Sequence, residues 1–193
     1  MKPLIKGVTQ ALFLAVAFPM AASSGFGRLI AVFRFWAQSC ALAPGLPGDL
    51  LRIAYYRLTL EECSLESRIQ FGSFFSQREA GIARGVHIGC YCVLGRTLIG
   101  ERTHIASGVH ILSGKAQHPR NENGEILGSE HGVFETVPIG ADCWIGSGTL
   151  VLAEVGRCCT IGAGSVVVHP VPEGSVAVGN PARVIGKSYC SRD

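Results

Sequence analysis

The sequence predicts an all-β protein, a parallel β-helix of six-residue steps, preceded by an apolar helical extension. Three observations carry this. Between residues 82 and 166 an aliphatic residue followed by a small one recurs at six-residue spacing, a period that fits neither an α-helix (about 3.6) nor a half-buried strand (about 2). Glycine supplies 25 of 193 residues while charged residues are 16% and aromatics 8%, the balance of stacked turns over an aliphatic core. Residues 7–27 carry no charge. A hydrophobic share of 48% excludes a disordered chain, and the length suits one domain with a real core.

The extension comes first in the chain. As a helix, residues 7–27 reach about 31 Å, roughly one hydrocarbon thickness. Pro19 interrupts the stretch, and Ser23, Ser24, Gly25 and Gly27 loosen its far end. A second apolar segment runs from Leu29 to Leu46, broken by Arg34. Four arrangements compete: a cleaved signal peptide, one spanning helix, a re-entrant or in-plane hairpin kinked at Pro19, and a helical arm packed on the body. Residues 1–60 hold Lys2, Lys6, Arg28, Arg34, Arg52 and Arg57 against Asp49 alone, whereas residues 61–193 are net −2. That asymmetry is a poor nucleic-acid signature and suits the inner face of an anionic membrane, with the body in the cytoplasm. Residues 1–47 are therefore expected to be a membrane-associated extension whose removal frees a soluble body. Residues 48–64 follow as a connecting helix, with Asp49 as its cap and Leu51, Tyr55 and Leu58 on one stripe. The solenoid is expected over 65–187 and a short tail over 188–193.

The eight cysteines form no C-x-x-C pair, and the chain is too large and apolar to need a disulfide framework. Cys90, Cys92, Cys158 and Cys159 sit in apolar runs and read as small core or turn residues. Eight unpaired thiols point to a reducing compartment.

The hexads begin at Ile82-Ala-Arg-Gly-Val-His87 and Ile88-Gly-Cys-Tyr-Cys-Val93. They continue as Ile99-Gly-Glu-Arg-Thr-His104, Ile105-Ala-Ser-Gly-Val-His110, Ile139-Gly-Ala-Asp-Cys-Trp144, Ile145-Gly-Ser-Gly-Thr-Leu150 and Ile161-Gly-Ala-Gly-Ser-Val166. The aliphatic residues are expected to stack from coil to coil about 4.8 Å apart. The small residue after each is expected at a tight corner, where a β-carbon would crowd the turn. His87, His104 and His110, sixth in their hexads, read as turn residues, and His169 lies past the last one. No metal site is expected from them. The repeat breaks between Ile111 and Val137, and the insert carries Lys115, Gln117, His118, Arg120, Glu122, Glu125, Glu130 and His131. Solenoids tolerate insertions at corners, and such loops carry function.

Ile139 to Gly146, Ile161 to Val167 and Gly179-Asn-Pro-Ala-Arg183-Val-Ile resemble the hexapeptide-repeat acyltransferases, within them the maltose, galactoside and nodulation-factor acetyltransferase branch and polysaccharide O-acetyltransferases. The resemblance spans about residues 65–187. It implies a left-handed β-helix, acetyl-CoA as co-substrate and a homotrimer with sites between neighbouring solenoids. It further implies His118 as the catalytic histidine, donor contacts at Ser147, Ala163, Val168, His169 and Arg183 with Lys187 nearby, and Trp144 either walling the acceptor site or capping a coil. Two departures stand out. The stretch Val151 to Thr160 is about two residues short of the usual turn, so the corner near Glu154 must be rebuilt. Acceptor-binding polar residues have no match near Leu94.

Histidine suits such a reaction, because attack by an alcohol on a thioester needs a base that is neutral near pH 7. Glu122, Glu125, Glu130 and Glu135 are candidates to orient it, and His131 is the second candidate base. The insert holds no cysteine, so direct transfer is expected and not a covalent enzyme intermediate. The implied activity is O-acetylation of a sugar hydroxyl in cell-envelope or exopolysaccharide biosynthesis. Acetylation of another alcohol or amine, an inert scaffold and a zinc hydrase of this fold are the alternatives.

Overall fold

Each hexad folds as a two-residue strand and a corner, and three hexads close one coil. The structure, a computed structural model, describes residues 3–189, with side chains from Ile5 onward. Three parallel sheets form the faces of the solenoid. The first face stacks Glu62–Cys63, Gly81–Ile82, Thr97–Ile99 and Val137–Ile139, and single bridges continue it to Val155 and Val171. The second stacks Arg68–Ile69, His87–Ile88, His104–Ile105, Trp144–Ile145, Thr160–Ile161 and Ser175–Gly179. The third stacks Phe74–Phe75, Val93–Leu94, His110–Ile111, Leu150–Val151 and Val166–Val167. Ala182–Lys187 folds back antiparallel on Ser175–Gly179.

The hexad aliphatics point inward as their spacing requires. Ile82, Ile88, Ile105, Ile111, Ile145 and Ile161 are buried, each contributing about 1.5–3 kcal/mol. The solenoid starts at Glu62, not at 65, because Cys63, Ile69 and Phe75 take the aliphatic positions of a coil that the Ile-Gly pattern does not reveal. The short stretch before Thr160 needs little rebuilding. Leu152-Ala-Glu154 makes the corner, and Val155 resumes the inward column between Ile139 and Val171.

Two details correct the sequence reading of the corners. The glycine after each aliphatic has ordinary φ, and what it avoids is the coil below: a Cβ on Gly146 would lie 2.5 Å from the Ala163 nitrogen. The left-handed residue comes two places later, where Tyr91, Arg102, Asp142 and Cys158 share positive φ with Gly108, Gly148 and Gly164. The next corner residue ties one coil to another. Ser67, Ser73 and Thr103 hydroxyls donate to Ala83, Gly89 and Gly140 carbonyls at 2.6–2.7 Å. Cys143 and Cys159 hold the same place, their thiols 3.0 Å from the Gly156 and Pro172 carbonyls. Cys159 is thus a corner residue, as read, and Cys143 joins it. Cys158 departs from the reading of unpaired thiols, since it is disulfide-bonded. Cys190 and the rest of the tail lie outside the described residues.

The extension forms α1 (Pro3–Ser23) and α2 (Ile30–Ala41), and α3 (Gly45–Thr59) follows. α1 runs unbroken through Pro19. Chain reversal falls at Ser24 to Gly27, where Gly25, Phe26 and Gly27 all take positive φ. α3 starts at Gly45, and Asp49 is not its cap. Asp49 instead pairs at 2.6 Å with both Arg52 and Arg68. The Arg52 guanidinium, fully buried, also donates to the carbonyls of Cys40, Ala43 and Ile69. Tyr55 Oη donates to the Phe33 carbonyl, and the Phe75 amide donates to Tyr56 Oη. The three helices thus close the open end of the first coil, burying Phe33, Tyr55, Tyr56 and Phe75 together.

Candidate active site

The coil geometry divides the candidates between two edges. Ser147 and Ala163 occupy successive corners between the second and third faces, tied by the Gly164 amide on the Ser147 carbonyl at 2.8 Å. Both side chains are exposed and small, so the edge is open. The turn of the terminal hairpin lies at the same edge, where the Gly179 amide donates to Ser165 Oγ at 3.1 Å. Arg183 follows that turn, exposed, its guanidinium donating to the Ala182 carbonyl at 2.9 Å. Lys187 lies at the far end of the hairpin, opposite Ser175.

Val168 and His169 form a corner between the third and first faces. The long insert leaves from that edge, one coil before the Leu152–Glu154 corner. It is zipped on itself as a two-stage arm. The Glu135 amide reaches the Ser113 carbonyl, Val133 reaches Ala116, and Leu127 reaches Pro119. At the tip Arg120 bridges Ile126 antiparallel, and Asn121 Oδ1 accepts the Asn123 and Glu125 amides. His118 stands at the base of this tip, exposed, with Nδ1 3.4 Å from the Leu127 carbonyl. A carbonyl only accepts, so the contact is a hydrogen bond only in the Nδ1–H tautomer, in which Nε2 carries the lone pair. Glu125 is held by Asn121 Nδ2 at 2.6 Å, and Glu130 lies 3.8 Å from His131 Nε2.

Within one chain the arm and the Ser147–Ala163 edge are separated by the width of the third face. The structure therefore groups Ser147, Ala163 and Arg183, and groups His118 with the edge of Val168 and His169, but brings no contact between the two sets. Among the described residues no group of three His, Cys, Asp or Glu side chains could hold a metal ion.

Sequence reasoning missed one cluster. His87 and His104 are not turn residues. Each opens a strand and points outward, because the strand begins at the sixth hexad position. On the second face Arg68, His87, His104 and Trp144 form one column. The two imidazoles stack at 5.5 Å, and Trp144 is 58% exposed beside them, so it caps no coil. Burial, then the neighbouring His104 and Arg68, lower the His87 pKa. The signal was available: sixth-position residues in consecutive second-face hexads are lateral neighbours.

No family model matches the chain. Nodulation protein L of Rhizobium leguminosarum bv. viciae is 40% identical over 108 residues, 53% of this chain and 55% of that one. A Saccharomyces cerevisiae protein with the provisional name of an acetyltransferase is 33% identical over 128 residues, covering 65% and 59%. This chain thus spans little more than half the length of either. In fold it matches a maltose O-acetyltransferase from Clostridium difficile 630 with TM-score 0.58 at 22% identity, over 83% of this chain and 89% of that one. It also matches a galactoside acetyltransferase in complex with coenzyme A, with TM-score 0.57 at 21% identity over 82% of each. Three of these four proteins carry acetyltransferase names, and the chain shares the fold of the two solved ones.

Proposed function

We propose that this protein transfers acetyl from acetyl-CoA to a sugar hydroxyl, with His118 as general base, in cell-envelope or exopolysaccharide biosynthesis at the inner face of the cell membrane. The carrying observation is the zipped arm that presents His118 with Nε2 available at a solenoid edge. In the reaction, Nε2 takes the hydroxyl proton as the oxygen bonds to the thioester carbonyl carbon. The carbon–sulfur bond then breaks, and the departing thiolate of CoA recovers the proton from His118. The open corners at Ser147 and Ala163 suit the thin pantetheine arm, and Arg183 suits a phosphate. Val168, His169 and Lys187 are proposed at the borders of the donor groove, and Trp144 at the wall of the acceptor site.

The separation of the two edges supports a homotrimer, in which the arm of one copy meets the Ser147–Ala163 edge of the next. His118→Ala is expected to lower turnover about 10²–10⁴-fold while leaving CoA binding unchanged, read as free CoA released with a panel of saccharide acceptors. A second variant, Ala163→Trp, blocks the donor edge. Mixed and reassembled with His118→Ala chains, it should regain about a quarter of the sites. Full turnover by His118→Ala overturns the base, and absence of any complementation overturns the shared site. Release of CoA only with amine acceptors replaces the sugar hydroxyl by an amine.

A further inference from the structure

α1 is one-sided, and its free side is apolar up to Ser23 at its end, whose hydroxyl accepts from Trp36 Nε1 at 2.9 Å. At about 100° per residue, Val8, Ala11, Leu12, Ala15, Val16, Phe18, Pro19 and Ala22 share one arc, all exposed. The opposite arc is committed to the body: Ala17 and Ala21 are fully buried, Phe13, Leu14 and Met20 pack against the core, and Gln10 Nε2 donates to the Leu65 carbonyl at 3.1 Å. α1 is long and apolar enough to cross a membrane, with mean hydropathy 1.5 over Ile5–Ser23. Its fastening along one side to α3 and to the first coil leaves only the other side for lipid. The free arc extends about 20 Å from Val8 to Ala22.

The arc does not end with the helix. Phe26 holds left-handed backbone at φ 53 between Gly25 and Gly27, a conformation that costs a bulky residue about 1 kcal/mol. Its ring is 43% exposed and stands edge-on to Phe18 at 5.9 Å. The strained turn thus spends its one side chain on holding an aromatic ring outward beside the stripe. Arg28 and Leu29 follow, both exposed.

Charge and chemistry select the occupant. No acid occurs before Asp49, so nothing on α1, the turn or α2 repels an anionic surface, while Arg28 and Arg34 are exposed there. Glu61, Glu62 and Glu66 line a groove with Lys6 and Gln10, on the side of α1 away from the stripe. A protein partner would meet a single polar side chain on the arc, Ser23, whose hydroxyl already donates to the Met20 carbonyl and accepts from Trp36, where interfaces carry about one hydrogen bond per 100–200 Å². Hydrocarbon requires none. We infer that the outer face of α1, with Phe18 and Phe26 as aromatic anchors and Arg28 at its rim, lies in the plane of an anionic bilayer surface, so that the protein is monotopic and its solenoid hangs from the membrane by its capped end.

This deepens the location proposed above and is independent of the acetyl-transfer reading. The test is flotation of the full-length protein with vesicles of phosphatidylcholine, with and without phosphatidylglycerol, alongside CoA binding, thermal midpoint and sedimentation mass of the same preparations. Wild type should float with the anionic vesicles. Leu12→Glu/Val16→Glu should lose at least about tenfold in vesicle affinity with mass, midpoint and CoA binding kept, because both sites are exposed. Arg28→Glu should weaken binding to the anionic vesicles alone. Phe26→Gly should weaken flotation without lowering the midpoint, whereas a purely structural ring would lower the midpoint. Failure of wild type to float, undiminished flotation of the double glutamate variant, or a fall in sedimentation mass caused by it (the mark of a contact between copies) overturns the surface. Loss of CoA binding in wild type would instead overturn the donor reading and leave the surface standing.

Discussion

A single imidazole illustrates how placement decides chemistry. His118 and His87 are the same side chain on the same solenoid, yet the main-chain carbonyl of Leu127 meets one and a second imidazole meets the other. His87 faces His104 and Arg68 on its own sheet and Asp49 from α3, and the burial and positive neighbours outweigh the carboxylate, which raises its pKa. A folded-state pKa below the ordinary 6.5 means that the unfolded chain takes up the proton first. Stability from this group is therefore complete above about pH 6.5 and is lost as the pH falls from there toward the lowered folded value. The thermal midpoint should decline on acidification from pH 7 toward 5, and His87→Gln should flatten that decline. An unchanged profile in the variant would assign the pH response elsewhere.

At the scale of elements, the buried Arg52 is the fastener. It gathers the carbonyls of α2's end, the Ile69 carbonyl of the first coil and the Asp49 carboxylate, so one guanidinium satisfies three segments at once. Arg52→Ala would leave the buried Asp49 carboxylate with Arg68 alone and strip the Cys40, Ala43 and Ile69 carbonyls of their donor. The expected cost is about 3–5 kcal/mol, measured by urea unfolding. The insert shows the contrasting economy. Its bonds close within itself, through Ser113–Glu135, Ala116–Val133 and Pro119–Leu127, and its side chains are largely solvated. An element so built holds its own shape while contributing little to the core, which suits the role proposed for His118.

For the whole molecule, the helices and the solenoid are one folding unit. Deleting residues 1–44 would uncover Tyr55, Tyr56 and Phe75 and remove the Phe33 carbonyl that Tyr55 meets. The truncated chain should aggregate or fall sharply in thermal midpoint, judged by size-exclusion profile and melting. This reverses the expectation of a soluble body freed by removing the extension. A truncation that stays monodisperse with an unchanged midpoint would show the cap to be dispensable.

The amino-acid sequence by itself determined the repeat, because a six-residue period admits only one way of stacking aliphatic residues inward, and Ile82 through Ile161 obey it. It also exposed the insert, since a break in strict periodicity is visible without coordinates, whereas His118 within it was pointed to by the resemblance to the hexapeptide-repeat acyltransferases. The coil led by Cys63, Ile69 and Phe75 was illegible, because those residue types occur in many contexts and burial alone marks them as equivalent to isoleucine there. Only the tertiary structure decided that Asp49 serves two arginines and caps nothing, that His87 meets His104, and that α1 is fastened along one side with an apolar face left over. Those outcomes depend on contacts between residues far apart in the chain, which local pattern does not encode.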